Sequence, residues 1–120
     1  MAQVPILSLE GFLVVSIQED LSDHEAENLQ QRLLERVEGS RARGVLIDVS
    51  GLDVVDSYFC RILRDTGAMA QLMGVTTCVV GLAPAVAVTL TELGLDLSMV
   101  HTDANLERGL AWLRTVRANA

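Results

Sequence analysis

Three carboxylates and a hydroxyl fall between positions 48 and 57: Asp48, Asp53, Asp56 and Ser57. Hard divalent cations take oxygen ligands, so the aspartates could hold a metal. A plainer division of labour fits the spacing better. Asp48 ends an apolar run, Asp53 belongs to the loop after Ser50-Gly51, and Asp56 stands where a helix needs a cap. Nothing in the pattern fixes an octahedral set, so no metal is expected. Ser57 stands at the start of a helix, where a serine hydroxyl commonly caps a free amide. The same place suits a phosphate, because unpaired N–H groups and the helix dipole favour an anion. Phosphorylation would add about −1.5 to −2 charges. Beside Asp53 and Asp56 that charge would be repelled, and a partner surface would change without refolding.

Other catalytic signatures are missing. The chain has no GxxxxGK[ST] phosphate loop, no GxGxxG after its early strands and no GxSxG elbow. His24 and His101 lie far apart, without zinc-type neighbours, and read as surface residues at element ends. Cys60 and Cys78 sit in apolar stretches without CxxC spacing and read as reduced core residues. A phospho-accepting receiver domain would use an aspartate such as Asp48, but it also needs a lysine and an early acidic pair, and the chain has no lysine.

The elements that must position these residues follow from periodicity. Pro5 to Leu9 and Phe12 to Ile17 read as two strands joined by a Glu10-Gly11 turn. Ser22 and Glu25 form a capping box before a helix whose apolar stripe is Ala26, Leu29, Leu33 and Val37, with Leu34 beside it. Gly44 to Val49 is a buried-strand pattern. A short apolar pair, Val54-Val55, precedes Asp56-Ser57. The second helix is expected to bury Phe59, Ile62, Leu63, Thr66, Met69, Ala70 and Met73, and Gly74 closes it. Val75 to Val80 is the next strand. Pro84 opens a third helix that ends at Gly94. A short last strand is expected within Leu95 to Val100, and a fourth helix capped by Asp103, with Leu106, Leu110 and Leu113 inward and Trp112 and Val116 nearby. The order β-β-α-β-α-β-α-β-α predicts one α/β domain over residues 1–120, with a mostly parallel mixed sheet and right-handed crossovers.

With 120 residues, 50% of them apolar and 21% charged, the chain can bury a core and is not a disordered segment. Aromatics are only 3%, so that core must be aliphatic. Nine basic residues, all arginine, against sixteen acidic ones leave a net charge of −7. Such a chain without a basic cluster should be repelled by nucleic acid and anionic lipid. Residues 1–5 show no basic region followed by an apolar run, and Gly81, Pro84 and Thr89 interrupt the most apolar stretch. A cytoplasmic protein with no membrane or nucleic-acid partner is expected.

The element order, the strand VLIDVS, the loop GLDVVDS and the helix after it resemble the STAS domain, the sulfate-transporter and anti-sigma-factor-antagonist family. FLVVSIQ and AQLMGVTTCVVGLAPAVAVTLTELGL are similar to the single-domain, RsbS-type members that belong to the stressosome. The resemblance implies a scaffold rather than an enzyme, with no cofactor. It implies that Ser57, the serine of the Asp56-Ser57 pair, is phosphorylated by an RsbT-like switch serine kinase. It also implies RsbR-like sensor STAS partners in a large hetero-assembly or homo-oligomer, and an RsbX-like resetting phosphatase. The unphosphorylated form would hold the kinase and phosphorylation would release it. Asp53, Asp56 and Tyr58 would form the flanking partner surface. Simpler anti-sigma antagonists tend to follow the serine with small residues and a glycine, whereas Tyr58 and Phe59 follow it here. A free anti-sigma-factor antagonist of the same fold is the alternative, and assembly size separates the two. A small α/β enzyme using the three aspartates is the third reading, which metal-dependent turnover would reveal.

Overall fold

The computed structural model describes residues 3–53, 55–94 and 97–118. Its elements are β1 (Ile6–Leu9), β2 (Phe12–Ser16), α1 (Asp23–Glu38), β3 (Gly44–Asp48), α2 (Ser57–Leu72), β4 (Thr76–Val80), α3 (Pro84–Leu93), β5 (His101–Asp103) and α4 (Leu106–Ala118). The strands form one sheet in sequential order. β1 runs antiparallel to β2, and every other pairing is parallel. Glu10 and Gly11 both have positive φ (55° and 84°), the conformation of a tight hairpin turn that matches strand twist.

Sequential order decides where the helices lie. Parallel strands added always on the same side, with right-handed crossovers, put all their connecting helices on one face. There Leu13, Val15, Val45, Ile47 and Val79 pack with Ala26, Leu29, Leu33, Phe59, Leu63, Val86 and Leu90. The opposite face, Phe12, Val14, Leu46, Cys78 and Val80, would be bare without α4, which covers it with Leu110 and Leu113. Strands covered on both sides read as continuous apolar runs, as β2, β3 and β4 do. α4 lies close on the sheet at Gly109, where a Cβ would come within 2.6 Å of Val80 Cγ1.

Local signals hold the helices as expected. Ser22 Oγ accepts the Glu25 N–H (3.1 Å) while Glu25 Oε1 accepts the Ser22 N–H (2.9 Å). Pro84 opens α3, and Gly94 ends it in the left-handed region. Four expectations change. Met69 and Met73 face solvent, because the buried stripe of α2 turns onto Gly67 and Ala70 and brings the helix against residues 99–100. Leu106 is likewise exposed. The last strand is His101–Asp103, set by pairing with Cys78–Val80. Of the segment expected there, Leu95 and Asp96 lie outside the described residues, and so does Val54. Finally, Asn105 rather than Asp103 caps α4, its Oδ1 accepting the Arg108 N–H at 2.9 Å. Asp103 instead accepts the Ala104 N–H (2.9 Å) and pairs with Arg108 (3.1 Å).

Candidate functional site

The aspartates and Ser57 gather where the parallel strands end and α2 begins. Asp48 is the last residue of β3. Its carbonyl accepts the Ile17 N–H (2.9 Å) and its Oδ1 accepts the Ser50 N–H (2.9 Å). The Val49 N–H reaches Val80 O at 3.0 Å, so the start of the loop is tied to both neighbouring strands. Two glycines let backbones meet here. A Cβ on Gly51 would lie 2.8 Å from Ile17 O, and one on Gly81 would lie 2.7 Å from Ser50 Cβ. Leu52 and Val55 are buried and anchor the loop, while Asp53 and Asp56 are exposed.

Asp56 caps α2, its Oδ1 accepting the Phe59 N–H at 2.8 Å. Ser57 is therefore the first helical residue, half-buried, and is released from the capping duty expected of it. Phe59 turns into the core. Tyr58, also half-buried, donates its hydroxyl to the Glu27 carboxylate on α1. That bond, helped by desolvation and the Glu27 charge, pushes the phenol up to about 12. α1 and α2 are tied again by Gln30, whose side-chain amide donates to Thr66 Oγ1 at 3.0 Å.

Beside Ser57 a cleft of about 170 Å³ is lined by Asp20, Leu21, Leu52, Val55, Asp56 and Phe59. The site is thus a displayed hydroxyl at a helix N-terminus, set between exposed carboxylates and a small apolar cleft. Backbone hydrogen bonds tie the preceding loop to its neighbouring strands, and a phosphate added here would alter charge and shape at the surface. Asp48 and Asp56 each commit an oxygen to a backbone amide. Among the described residues, no three His, Cys, Asp or Glu side chains converge as metal ligands. Glu27, Asp20 and Leu21 belong to this site, yet the sequence alone does not assign them to it. They come from the β2–α1 connection and α1, some thirty or more positions away, and no local pattern marks such contacts.

His24 is exposed in the first turn of α1. His101 starts β5 and stacks on Trp112, with ring centroids 3.7 Å apart. Cys60 and Cys78 are buried thiols. No helix among the described residues is long and apolar enough to cross a membrane.

The STAS domain family model matches residues 3–109. The solved structure of Moorella thermoacetica RsbS, in a serine-to-glutamate variant, is 39% identical, covering 99% of this chain and 100% of that one with a TM-score of 0.87. A chain from the molecular architecture of the stressosome, a signal integration and transduction hub, is 40% identical, covering 93% of this chain and 97% of that one with a TM-score of 0.82. The RsbT co-antagonist protein RsbRA of Bacillus subtilis is 30% identical over 101 residues, or 84% of this chain. The chain spans only 37% of that relative's length.

Proposed function

Since the chain belongs to the STAS domain family and is RsbS-like, we propose that it is a non-enzymatic scaffold of a stressosome whose switch is phosphorylation of Ser57. In this reading the unphosphorylated chain, assembled with RsbR-like sensor STAS proteins in the cytoplasm, holds an RsbT-like serine kinase. Phosphorylation at Ser57 releases the kinase to its output, and an RsbX-like phosphatase resets the chain. Support for the partners comes from the relatives: one solved neighbour is a stressosome chain, and one sequence relative is a co-antagonist of RsbT. Identity of 39–40% to RsbS and stressosome chains favours this reading over a free anti-sigma-factor antagonist.

The observation that carries the proposal is the position of Ser57. Its hydroxyl stands on the first residue of α2, beside Asp56, which has taken over the cap. The helix N-terminus hosts the phosphate dianion, while Asp53 and Asp56 add to the negative field that partners meet. Peptide mapping after incubation with the kinase and ATP tests the assignment. The label is expected on Ser57 and absent from a Ser57→Ala chain. Stoichiometric labelling of Ser57→Ala would refute it.

A further inference from the structure

The end of the molecule opposite Ser57 carries the opposite charge. α1 begins beside Ser57, where Glu27 meets Tyr58, and its 16 residues run about 24 Å at 1.5 Å per residue. At its far end the loop 39–43 meets the β1–β2 hairpin, the Arg43 N–H donating to Gly11 O at 2.9 Å. Between loop and hairpin is a cleft of about 210 Å³, with Ser8, Gly11, Ser40 and Arg41 around Phe12 and Leu13. Arg43 lies along the turn, its Cδ and Nε 3.4 Å from where a Cβ on Gly11 would sit. Arg36 reaches the same rim, donating to Ser8 Oγ at 3.3 Å and to Ile6 O at 3.1 Å.

We infer that this corner docks a short acidic segment of a partner protein, with Arg41 and Arg43 each taking a carboxylate. Arginines elsewhere are occupied: Arg32, Arg36, Arg64, Arg108 and Arg114 each donate to an oxygen of the chain. Among the described residues Arg41, Arg43 and Arg61 have no such partner, and the first two stand together, exposed, in a chain of net charge −7. Glu10, the carboxylate nearest the turn, is held by Arg114 and does not neutralise them. A guanidinium fork matches a carboxylate in two parallel bonds, which suits Glu and Asp side chains. Glu35 and Glu38, exposed in the last turn of α1, would repel a long polyanion, so a short segment fits and nucleic acid does not. Val4 O and Ile6 O are already held by Arg32 and Arg36. The outer edge of β1 is thus closed to strand addition, and the segment docks through its side chains. This surface is independent of Ser57 and its state of phosphorylation.

Titration of the isotope-labelled chain with the peptide tetraglutamate, followed by backbone amide chemical shifts, tests this without the kinase, so its outcome is distinct from that of the switch. Shifts are expected to gather at Gly11 and residues 40–43, and tetraglutamine should produce none. The double variant Arg41→Gln/Arg43→Gln should weaken binding by about tenfold or more, the loss of at least one charge-assisted hydrogen bond, with an unchanged circular dichroism spectrum and melting temperature. Arg61→Gln, which removes an exposed charge from α2, should bind like wild type, and so should Ser57→Asp. No response to tetraglutamate, shifts gathered elsewhere, or undiminished binding by the double variant would overturn the assignment. So would an equal loss in Arg61→Gln, or tighter binding of a four-nucleotide oligothymidylate than of tetraglutamate. Loss of binding in Ser57→Asp would overturn the independence of the two ends.

Discussion

Asp56 Oδ1 accepts the Phe59 N–H at 2.8 Å, closing the first turn of α2 one residue ahead of Ser57. The carboxylate satisfies a free amide and leaves the serine hydroxyl available for chemistry. The two neighbours should therefore respond differently to truncation. Asp56→Ala should cost about 1 kcal/mol as a lost cap, and Ser57→Ala should stay within about 0.5 kcal/mol of wild type. Urea denaturation of the two variants measures this. Equal losses would return the capping role to Ser57.

The site also depends on backbone contact between Gly81 and Ser50. Gly81 has φ +81°, and a Cβ there would lie 2.9 Å from the Ser50 amide nitrogen. Gly81→Ala should destabilise the fold by about 1–3 kcal/mol, from the strained φ and the clash together. Gly74→Ala shares a positive φ of +83° but meets nothing within 4 Å, so it should cost less. Thermal melts of the pair separate the two causes.

Tyr58 is the only tyrosine, so phenolate absorbance reports it alone. Its hydrogen bond to Glu27 holds the proton on and pushes the phenol up to about 12. The bond contributes stability fully below the unfolded value of about 10, and that contribution is lost as pH rises through about 12. In Glu27→Gln the titration should move down toward about 10. An unmoved titration would show that Glu27 is not the cause.

Burial pushes the Cys78 thiol up to about 11 and raises that of Cys60 as well. Thiolate is the reactive form, so both cysteines should resist thiol reagents in the folded chain. Two thiols per chain should then react rapidly on unfolding. Rapid modification of native protein would mean that the core opens easily.

Much of this architecture is legible in local sequence chemistry. Ser22-x-x-Glu25, Pro84 and Gly94 mark helix ends, and apolar runs mark strands buried on both faces. The Asp56-Ser57 boundary is visible for the same reason, although the division of duties between the two is not. What stays hidden depends on packing. Met69 and Met73 fit an apolar stripe, but the close approach at Gly67 rotates that stripe away from them. The polar triplet His101–Asp103 carries no strand signal, and only the open edge of β4 makes it one. Glu27 and Tyr58 are 31 positions apart, so their bond leaves no trace in spacing.

The central claim is that Ser57 phosphorylation releases a held kinase by a local change of charge. Retention of the RsbT-like kinase by the chain in complex with its RsbR-like partner tests it, comparing unphosphorylated, stoichiometrically phosphorylated, Ser57→Ala and Ser57→Asp forms. The unphosphorylated and Ser57→Ala chains should hold the kinase. The phosphorylated chain should lose it with an unchanged circular dichroism spectrum, and Ser57→Asp, with one charge and fewer oxygens, should lose it in part. Undiminished retention after complete phosphorylation, or a large spectral change accompanying release, would contradict the account.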